Sequence, residues 1–211
     1  YTDILTLLLR EFKKNNIIYL EIGTSVFKNF QQIENNLENA TLYGYDMNEL
    51  IPSIMDKYNL IQKENINTGQ NYYHSKGKNE IYYFKNNVLS KDGADIFKKL
   101  LDEKVNVIFS DALHSKEGIL SEYENIIKSN LSDNFYYYFD DLNMYDVEEG
   151  VNEIYKDLKS VNPNIKYYSF WTYGWIGQYE KLHKIGLITT FDVTTIFKKN
   201  NITLPLFKEI S

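Results

Sequence analysis

The stretch Ile17-Ile18-Tyr19-Leu20-Glu21-Ile22-Gly23-Thr24-Ser25 indicates the fold of this chain. It is an apolar run that ends in an acid and then breaks at a glycine, which is typical of a buried strand followed by a tight turn. Three further apolar runs end in carboxylates, at Asp46, at Asp111 and at Asp140-Asp141. In an open α/β sheet, ligands bind at the carboxyl ends of the strands. The ordered set of acids therefore predicts a binding site at that edge of a sheet.

Helical patterns separate these apolar runs, and residues 115–128 place their apolar side chains on one helical face. Strands that alternate with helices predict parallel βαβ units with right-handed crossovers. We therefore expect an α/β, Rossmann-like fold with a mostly parallel central sheet and helices on both faces. Ile165–Trp171 and Ile185–Phe191 predict a C-terminal antiparallel strand pair, and the polar stretch Asn65–Asn79 predicts a loop.

The composition of the chain limits the kinds of partner that the protein can bind. The chain has 211 residues, a net charge of −6 and no cysteine. The acidic balance argues against sequence-independent binding of nucleic acid, and the missing thiols exclude disulfides, zinc thiolate sites and cysteine nucleophiles. No apolar run is long enough to span a membrane. We therefore expect a cytoplasmic protein with neither a nucleic-acid nor a membrane partner.

No internal repeat or composition shift divides the chain, so residues 1–211 are interpreted as one domain. The sequence starts at Tyr1 without a methionine, and we expect an excerpt of a longer protein with covalently linked neighbouring domains. The sequence leaves homo-oligomerisation open.

A single glycine follows the first predicted strand. A dinucleotide-binding fingerprint needs three glycines there, whereas Gly23 is followed by Thr24-Ser25-Val26-Phe27, so a pyrophosphate cradle is poorly supported. A carboxylate at Glu21 suits a cationic or amine-bearing ligand better. The alternative is that Glu21 only ends a strand and caps the next helix.

Asp46 closes the second predicted strand. In nucleoside-binding folds an acid at this position accepts hydrogen bonds from ribose hydroxyls. Glu21 and Asp46 on neighbouring strands therefore favour a nucleoside ligand. A solvated turn residue before Met47-Asn48 is the alternative.

The complete order of motifs is Glu-x-Gly after the first strand, Asp after the second, Asp111-x-x-His114 after the fourth and Asp140-Asp141 after the fifth. This order resembles the class I S-adenosylmethionine-dependent methyltransferases over residues 17–158. More narrowly, residues 108–118 and Phe139-Asp140-Asp141, with Glu149-Gly150-Val151 downstream, resemble the macrocin O-methyltransferase and cephalosporin-hydroxylase-like group.

That resemblance implies a single methyltransferase-like domain that transfers a methyl group from S-adenosylmethionine to a hydroxyl of a sugar or glycosylated small molecule. It implies a divalent cation as well, Mg²⁺ foremost. The implied cofactor-binding residues are Glu21, Gly23, Thr24, Ser25, Asp46, Asn87 (from its position alone) and Asp111. The implied metal ligands are Asp111, Asp140 and Asp141, and the implied catalytic residues are Asp111, His114 and Asp141.

The metal assignment agrees with the chemistry of the residues, since carboxylate oxygens suit Mg²⁺ or Ca²⁺. His114 or a carboxylate could take the acceptor's proton as general base. Adjacent Asp140 and Asp141 point to opposite faces of a regular strand, so both can ligate one ion only if the strand has broken into a loop. The alternatives are an N-cap and solvent pair at Asp140-Asp141, and an ordinary helix-start residue at His114.

Two other functions stay open on the sequence. One is methylation of a catechol-like or amine acceptor. The other is a degenerate methyltransferase-like binding or scaffold domain, which the single glycine and Ala112, in place of the group's usual glycine, favour. The aromatic residues Phe170, Trp171, Tyr173 and Trp175 could stack on a sugar ring or belong to the core.

Overall fold

The protein is described by a computed structural model that covers residues 2–12, 16–65, 69–101, 103–176 and 179–210, without the side chains of residues 175 and 176. The helices are α1 Thr2–Glu11, α2 Lys28–Asn35, α3 Pro52–Tyr58, α4 Lys91–Lys98, α5 Lys116–Glu122, α6 Val147–Val161 and α7 Val193–Lys199. A single π-helical turn, Tyr123–Ile127, continues α5. The strands are β1 Ile18–Ile22, β2 Thr41–Asp46, β3 Ile61–Glu64, β4 Asn71–Lys76, β5 Glu80–Lys85, β6 Val105–Ser110, β7 Leu131–Phe139, β8 Lys166–Ile176, β9 Tyr179–Thr189 and β10 Lys208–Ile210.

All ten described strands form one sheet in the order β10-β8-β9-β7-β6-β1-β2-β5-β4-β3. The five central strands, from β7 to β5, pair in parallel, whereas the strands on both flanks pair antiparallel. The α/β class is confirmed, but the expected mostly parallel arrangement holds only for these five strands. At the C-terminal end the expected strand pair is a group of three, because β10 adds to β8.

The loop predicted over Asn65–Asn79 is wrong at Asn71–Lys76, because β4 lies there and pairs with β3 and β5. Residues 66–68 of that prediction lie outside the described residues. The described strand β3 is exposed at every position, and β4 is exposed or half-buried. A strand at a solvated edge buries no continuous face, so its sequence lacks the apolar pattern that identifies a strand.

Helices cover both faces of the sheet. One face packs against α1, α2, α3 and α7 through side chains such as Leu8, Phe30 and Phe197. The other packs against α4, α5 and α6 through side chains such as Phe97 and Ile154. Strand β1 lies between these layers and is buried at all five positions, as a strand covered on both faces must be.

The register of the central strands aligns their carboxyl ends. Ile22 pairs with Tyr45 on β2 and with Ser110 on β6, and Ser110 pairs with Phe139 on β7. The residues that follow these positions therefore meet at one edge of the sheet. In the part of the chain that the structure describes, every helix is too short or too polar to cross a membrane.

Candidate functional site

A cleft of about 450 Å³ opens at this carboxyl edge. The loops after β1, β2, β5 and β6 form its walls. Of the site residues that the sequence predicts, the cleft is lined by Gly23, Ser25, Asp46, Asn87, Asp111 and His114. Glu21, Thr24, Asp140 and Asp141 lie outside that lining. The cleft is large enough for a nucleoside-sized ligand, since small-molecule sites typically enclose about 300–1,000 Å³.

Gly23 lies where the loops after β1 and β6 cross. Its φ is +88°, and its amide donates to the Tyr45 carbonyl at 2.8 Å. A Cβ atom here would lie 2.2 Å from the Asp111 carbonyl oxygen and 2.6 Å from the Ala112 Cα. Only glycine combines this conformation with so close a backbone contact.

The loop after Gly23 takes up left-handed conformations without further glycines. Ser25 has a φ of 47° and Phe27 a φ of 66°. The Phe27 ring is fully buried and stacks on Phe30 with a centroid distance of 4.3 Å. Burial of this ring stabilises a backbone conformation that costs an L-residue about 1–2 kcal/mol.

The Asp46 carboxylate is held from two sides. Its Oδ2 accepts the Ser25 amide at 2.8 Å and faces the Thr24 hydroxyl at 3.5 Å. Its Oδ1 accepts the Asn48 amide at 2.9 Å and the Asn48 side-chain nitrogen at 3.0 Å. The two carboxylate oxygens have about four acceptor positions, and Ser25 and Asn48 occupy three of them. Because the Thr24 contact is long, the second position of Oδ2 can accept from a ligand hydroxyl in the cleft. Thr24 contributes by orienting Asp46.

Glu21 is placed beneath α2 and away from the cleft lining. Its Oε2 accepts the Tyr19 hydroxyl at 2.5 Å, and the Phe30 amide in the first turn of α2 also stabilises the charge. Among the described residues, Oε1 has no hydrogen-bond partner. Burial raises the pKa of Glu21 well above its usual range, and the neighbouring Asp111 charge adds to this. A cofactor-binding role for Glu21 stays a prediction.

Asn87 lies on the cleft wall after β5. Its Oδ1 accepts the Leu89 amide at 2.9 Å, and its carbonyl accepts the Tyr45 hydroxyl at 3.3 Å. These contacts fix the loop, and contact with an adenine ring stays a prediction.

Asp111 and His114 form a pair beside the cleft. The His114 Nε2 lies 3.2 Å from the Asp111 Oδ1 and 4.0 Å from the Asp141 Oδ2. Burial raises the pKa of Asp111, and the hydrogen bond to Asp111 raises the pKa of His114. His114 directly precedes Ser115, whose hydroxyl caps α5 by accepting the Gly118 amide at 3.2 Å. With 30% of its side chain exposed, His114 is open to a proton-donating ligand.

Asp140 and Asp141 converge on one point. Strand β7 ends at Phe139, and Asp141 adopts a φ of 51°, so the alternation of a regular strand no longer applies. The Asp141 amide donates to the Asp140 Oδ1 at 2.8 Å. One ion can contact both carboxylates only if the strand has already broken into a loop, and the structure meets this condition.

His183 completes this cluster and was missed in the sequence. Its Nδ1 lies 2.8 Å from the Asp141 Oδ1 and 3.2 Å from the Asp140 Oδ1. Hydrogen bonds to Asp140 and Asp141 raise the pKa of His183 to about 9. Burial is the largest single influence on Asp141 and opposes its charge, but the hydrogen bond to His183 and the positive charges of His183, His114 and Lys181 together lower the pKa of Asp141. His183 reaches the two aspartates because β9 continues past the end of β7, where Phe139 pairs with Gly186.

Glu122 on α5 is a buried acid that was not predicted from the sequence. Its Oε2 accepts the Ser110 hydroxyl at 2.6 Å at the end of β6, and within the described part of the chain Oε1 is unpartnered. Burial raises the pKa of Glu122 to about 8. Glu122 lies on the apolar face of α5, and the presence of an acid there is explained only by its contact with Ser110, which is distant in sequence.

The predicted aromatic group is divided between core and surface. Phe170 is fully buried, whereas Tyr173 is 61% exposed on β8. The Trp175 side chain lies outside the described residues.

No protein-family model and no curated protein sequence matches this chain. Solved structures match it over most of its length. The plantazolicin methyltransferase BamL, in complex with an analog of desmethylPZN and with SAH (S-adenosylhomocysteine), is 11% identical at a TM-score of 0.54. That match covers 90% of this chain and 83% of the other.

Two further matches have the same character. Precorrin-6y C5,15-methyltransferase from Geobacter metallireducens GS-15 is 10% identical at a TM-score of 0.55, with 88% of this chain and 86% of that chain covered. Magnesium protoporphyrin IX methyltransferase (ChlM) from Synechocystis PCC 6803, with bound SAM, is 12% identical at a TM-score of 0.52, with 89% and 77% covered.

The chain has the class I methyltransferase fold. Identities of 10–12% show a shared fold and carry no information about the acceptor. The narrower resemblance to the macrocin and cephalosporin-hydroxylase-like group stays a prediction.

Proposed function

We propose that the chain is an S-adenosylmethionine-dependent O-methyltransferase that uses a divalent cation and acts on a hydroxyl of a sugar or glycosylated small molecule. The observation that carries the proposal is the Asp46 carboxylate, oriented by Ser25 and Asn48 in a cleft that also reaches Asp111 and His114. A nucleoside subsite and a proton-accepting pair therefore share one cavity.

The residues present fit the nucleoside part of the cofactor. Asp46 offers an acceptor for a ribose hydroxyl, and Gly23 and Ser25 line the same wall. The absence of a glycine-rich phosphate cradle agrees with a cofactor that has no phosphate groups. When bound, S-adenosylmethionine supplies a methyl group on a positively charged sulfur, and transfer replaces the carbon–sulfur bond with a carbon–oxygen bond. The shared fold with SAM- and SAH-bound methyltransferases supports this choice.

The proton released by the acceptor hydroxyl has a receiver in His114. Its Nε2 is held by the Asp111 Oδ1 at 3.2 Å, which orients the ring and favours the imidazolium that forms. Rigid placement of the acceptor beside this pair lowers the barrier mainly through orientation.

Asp140 and Asp141 are the residues that would hold a cation beside the acceptor. Both carboxylates turn to one point behind His114, and hard oxygen donors suit a divalent ion. A cation at this point would lower the pKa of the acceptor hydroxyl. Asp111 is connected to Asp141 through His114, which lies between the two carboxylates.

Support for a sugar-bearing acceptor comes from β8 and β9, which continue past β7 above the site edge. Tyr173 presents an exposed ring there, and aromatic rings combine an apolar face with a polar tip. The names of the reported neighbours give acceptors as different as plantazolicin and a precorrin, so the proposal for the acceptor does not rest on them.

The deciding experiment is a calorimetric titration with SAH on the wild type, on Asp46→Ala and Asp46→Asn, and on the control Asp133→Asn. Asp133 is exposed near the start of β7, on the opposite edge of the sheet. We expect wild type and control to bind SAH in the micromolar range. Asp46→Ala should bind at least tenfold more weakly, because hydrogen bonds to a charged group contribute about 1.5–3 kcal/mol each.

The affinity of Asp46→Asn for SAH should lie between those of the wild type and Asp46→Ala, because asparagine keeps one carbonyl acceptor. Failure of the wild type to bind SAH would refute the methyltransferase proposal and favour the binding or scaffold domain. If SAH binds, a panel of sugar, catechol and amine acceptors tests the acceptor class, and methylation of amines alone would refute O-methylation.

A further inference from the structure

We propose that Asp140, Asp141 and His183 form a mixed oxygen and nitrogen site for a first-row transition-metal ion such as Mn²⁺, Fe²⁺ or Co²⁺. This inference deepens the metal-assisted part of the proposed function, and it replaces Asp111 by His183 in the ligand set. It also changes the class of ion, from Mg²⁺ to one that accepts imidazole.

The spacing of the three side chains fits coordination of one ion. The His183 Nδ1 lies 2.8 Å and 3.2 Å from the nearest oxygens of Asp141 and Asp140, and one ligand atom from each residue lies within 4.8 Å of the others. Two ligand atoms about 2.1 Å from an ion and at right angles are separated by about 3.0 Å. The same spacing fits an imidazolium that donates to both carboxylates, which is the result the experiment has to exclude.

The donor types favour a transition metal. Imidazole nitrogen is a common ligand of Mn²⁺, Fe²⁺, Co²⁺ and Zn²⁺, whereas Mg²⁺ takes oxygen ligands and retains several waters. All three side chains are more than nine-tenths buried, with exposures of 3%, 5% and 2% for Asp140, Asp141 and His183. A buried set with few coordinating waters therefore suits an ion that loses its hydration shell more readily than Mg²⁺.

The backbone holds the ligands in place before any ion arrives. The Leu142 amide donates to the Lys184 carbonyl at 2.8 Å, and the Lys184 amide donates to the Asn143 side chain at 3.0 Å. These two bonds join the segment after Asp141 to the residue after His183. Because the two ligand-bearing segments are tied together, binding requires little reorganisation.

The cluster also reaches the candidate active site. Asp141 turns its Oδ1 toward His183 and its Oδ2 toward the His114 Nε2, 4.0 Å away. His114 in turn contacts Asp111 at the cleft wall. An ion at the cluster would therefore lie one carboxylate away from the proton acceptor.

The test uses Mn²⁺ as the probe and exploits the three histidines of the chain. The protein is prepared with ¹⁵N-labelled histidine, stripped of metal and titrated with Mn²⁺, and bound Mn²⁺ is studied by pulsed electron paramagnetic resonance. We expect one Mn²⁺ per chain, a ¹⁵N coupling typical of a directly bound imidazole, and affinity for Mg²⁺ at least tenfold weaker in competition.

The variants locate the coupling. His183→Gln should abolish the ¹⁵N coupling and weaken Mn²⁺ binding at least tenfold. His74→Gln is the matched control, because His74 lies on β4 and bonds to Glu80 at 2.9 Å, far along the sheet from β7. If His183→Gln does not fold, His114→Gln takes its place, because His114 is the other histidine near Asp141, and loss of the coupling in His114→Gln would overturn the proposal.

Three results would overturn the proposal: no Mn²⁺ binding at millimolar concentration, bound Mn²⁺ without nitrogen coupling, or coupling that persists in His183→Gln. Titration of the metal-free protein with SAH separates this failure from failure of the proposed function. Nitrogen-coupled Mn²⁺ without SAH binding would refute the methyltransferase, and SAH binding without nitrogen coupling would refute the metal site alone.

Discussion

An added methyl group at Gly23 has no space to occupy. The Cβ of Gly23→Ala would lie 2.2 Å and 2.5 Å from the carbonyl oxygen and carbon of Asp111, and 2.6 Å from the Ala112 Cα. These are backbone atoms, so no side-chain rotation relieves the overlap. The φ of +88° adds a second cost, because an L-residue in the left-handed region loses about 1–2 kcal/mol.

Overpacking of a close contact typically costs about 1–3 kcal/mol. Together the two effects predict that Gly23→Ala lowers the free energy of unfolding by about 2–5 kcal/mol, a large share of the roughly 5–15 kcal/mol of an ordinary domain. Because the loop must move, SAH affinity should fall as well. Urea denaturation followed by circular dichroism measures the first quantity, and calorimetry the second.

Gly77→Ala is the matched control. A Cβ at Gly77 meets no heavy atom within 4 Å, so this substitution should change stability by no more than about 1 kcal/mol, in the stabilising direction if at all. If Gly23→Ala were as stable as Gly77→Ala, the loops after β1 and β6 would not touch as described. Their crossing would then not form the wall of the cleft.

Substitutions at three further positions test the buried groups around the site. Burial raises the pKa of Glu122 to about 8, so the folded state keeps a proton that the unfolded chain loses above pH 4.5, and wild-type stability falls by up to about 4 kcal/mol from pH 5 to pH 8. Glu122→Gln should not show this loss of stability. Urea denaturation at pH 5 and pH 8 measures it, and Glu124→Gln, at an exposed position, is the control. Tyr19→Phe removes the hydroxyl that donates to the buried Glu21 and should cost about 1–3 kcal/mol in a urea melt; an unchanged midpoint would contradict that bond. Phe27→Gly should be more stable than Phe27→Ala by about 1 kcal/mol, the reverse of the usual order, because glycine accepts a φ of 66° without strain.

The carboxyl-edge residues could be predicted from the sequence because the central strands are buried on both faces. Such strands are nearly continuous apolar runs, so the positions at which they end are visible. Asp46, Asp111 and Asp140 follow or close such runs, and the parallel register brings them to one edge. Prediction of their shared location required only the fold class.

The remaining features depend on contacts between distant segments. His183 reaches Asp141 because β9 runs antiparallel to β7 and extends beyond it, and no local pattern specifies that register. Glu122 belongs to an otherwise apolar helical face, and its role depends on the hydroxyl of Ser110. The outer strands β3 and β4 lack an apolar face because solvent covers them.

The glycine-poor loop after β1 bears on the choice between an enzyme and a scaffold domain. In sequence, Val26 and Phe27 favour a degenerate site because more glycine is usual there. In the structure, Phe27 reaches the left-handed conformation without glycine and buries its ring against Phe30, whose packing offsets the strain. Ser25 also adopts the left-handed conformation without being glycine, and its amide donates to Asp46. The backbone that glycines would provide is therefore present, so the glycine count is no argument against a cofactor site. What separates enzyme from scaffold is whether Asp46, held as it is, binds the nucleoside, and the Asp46→Ala and Asp46→Asn titrations measure that directly.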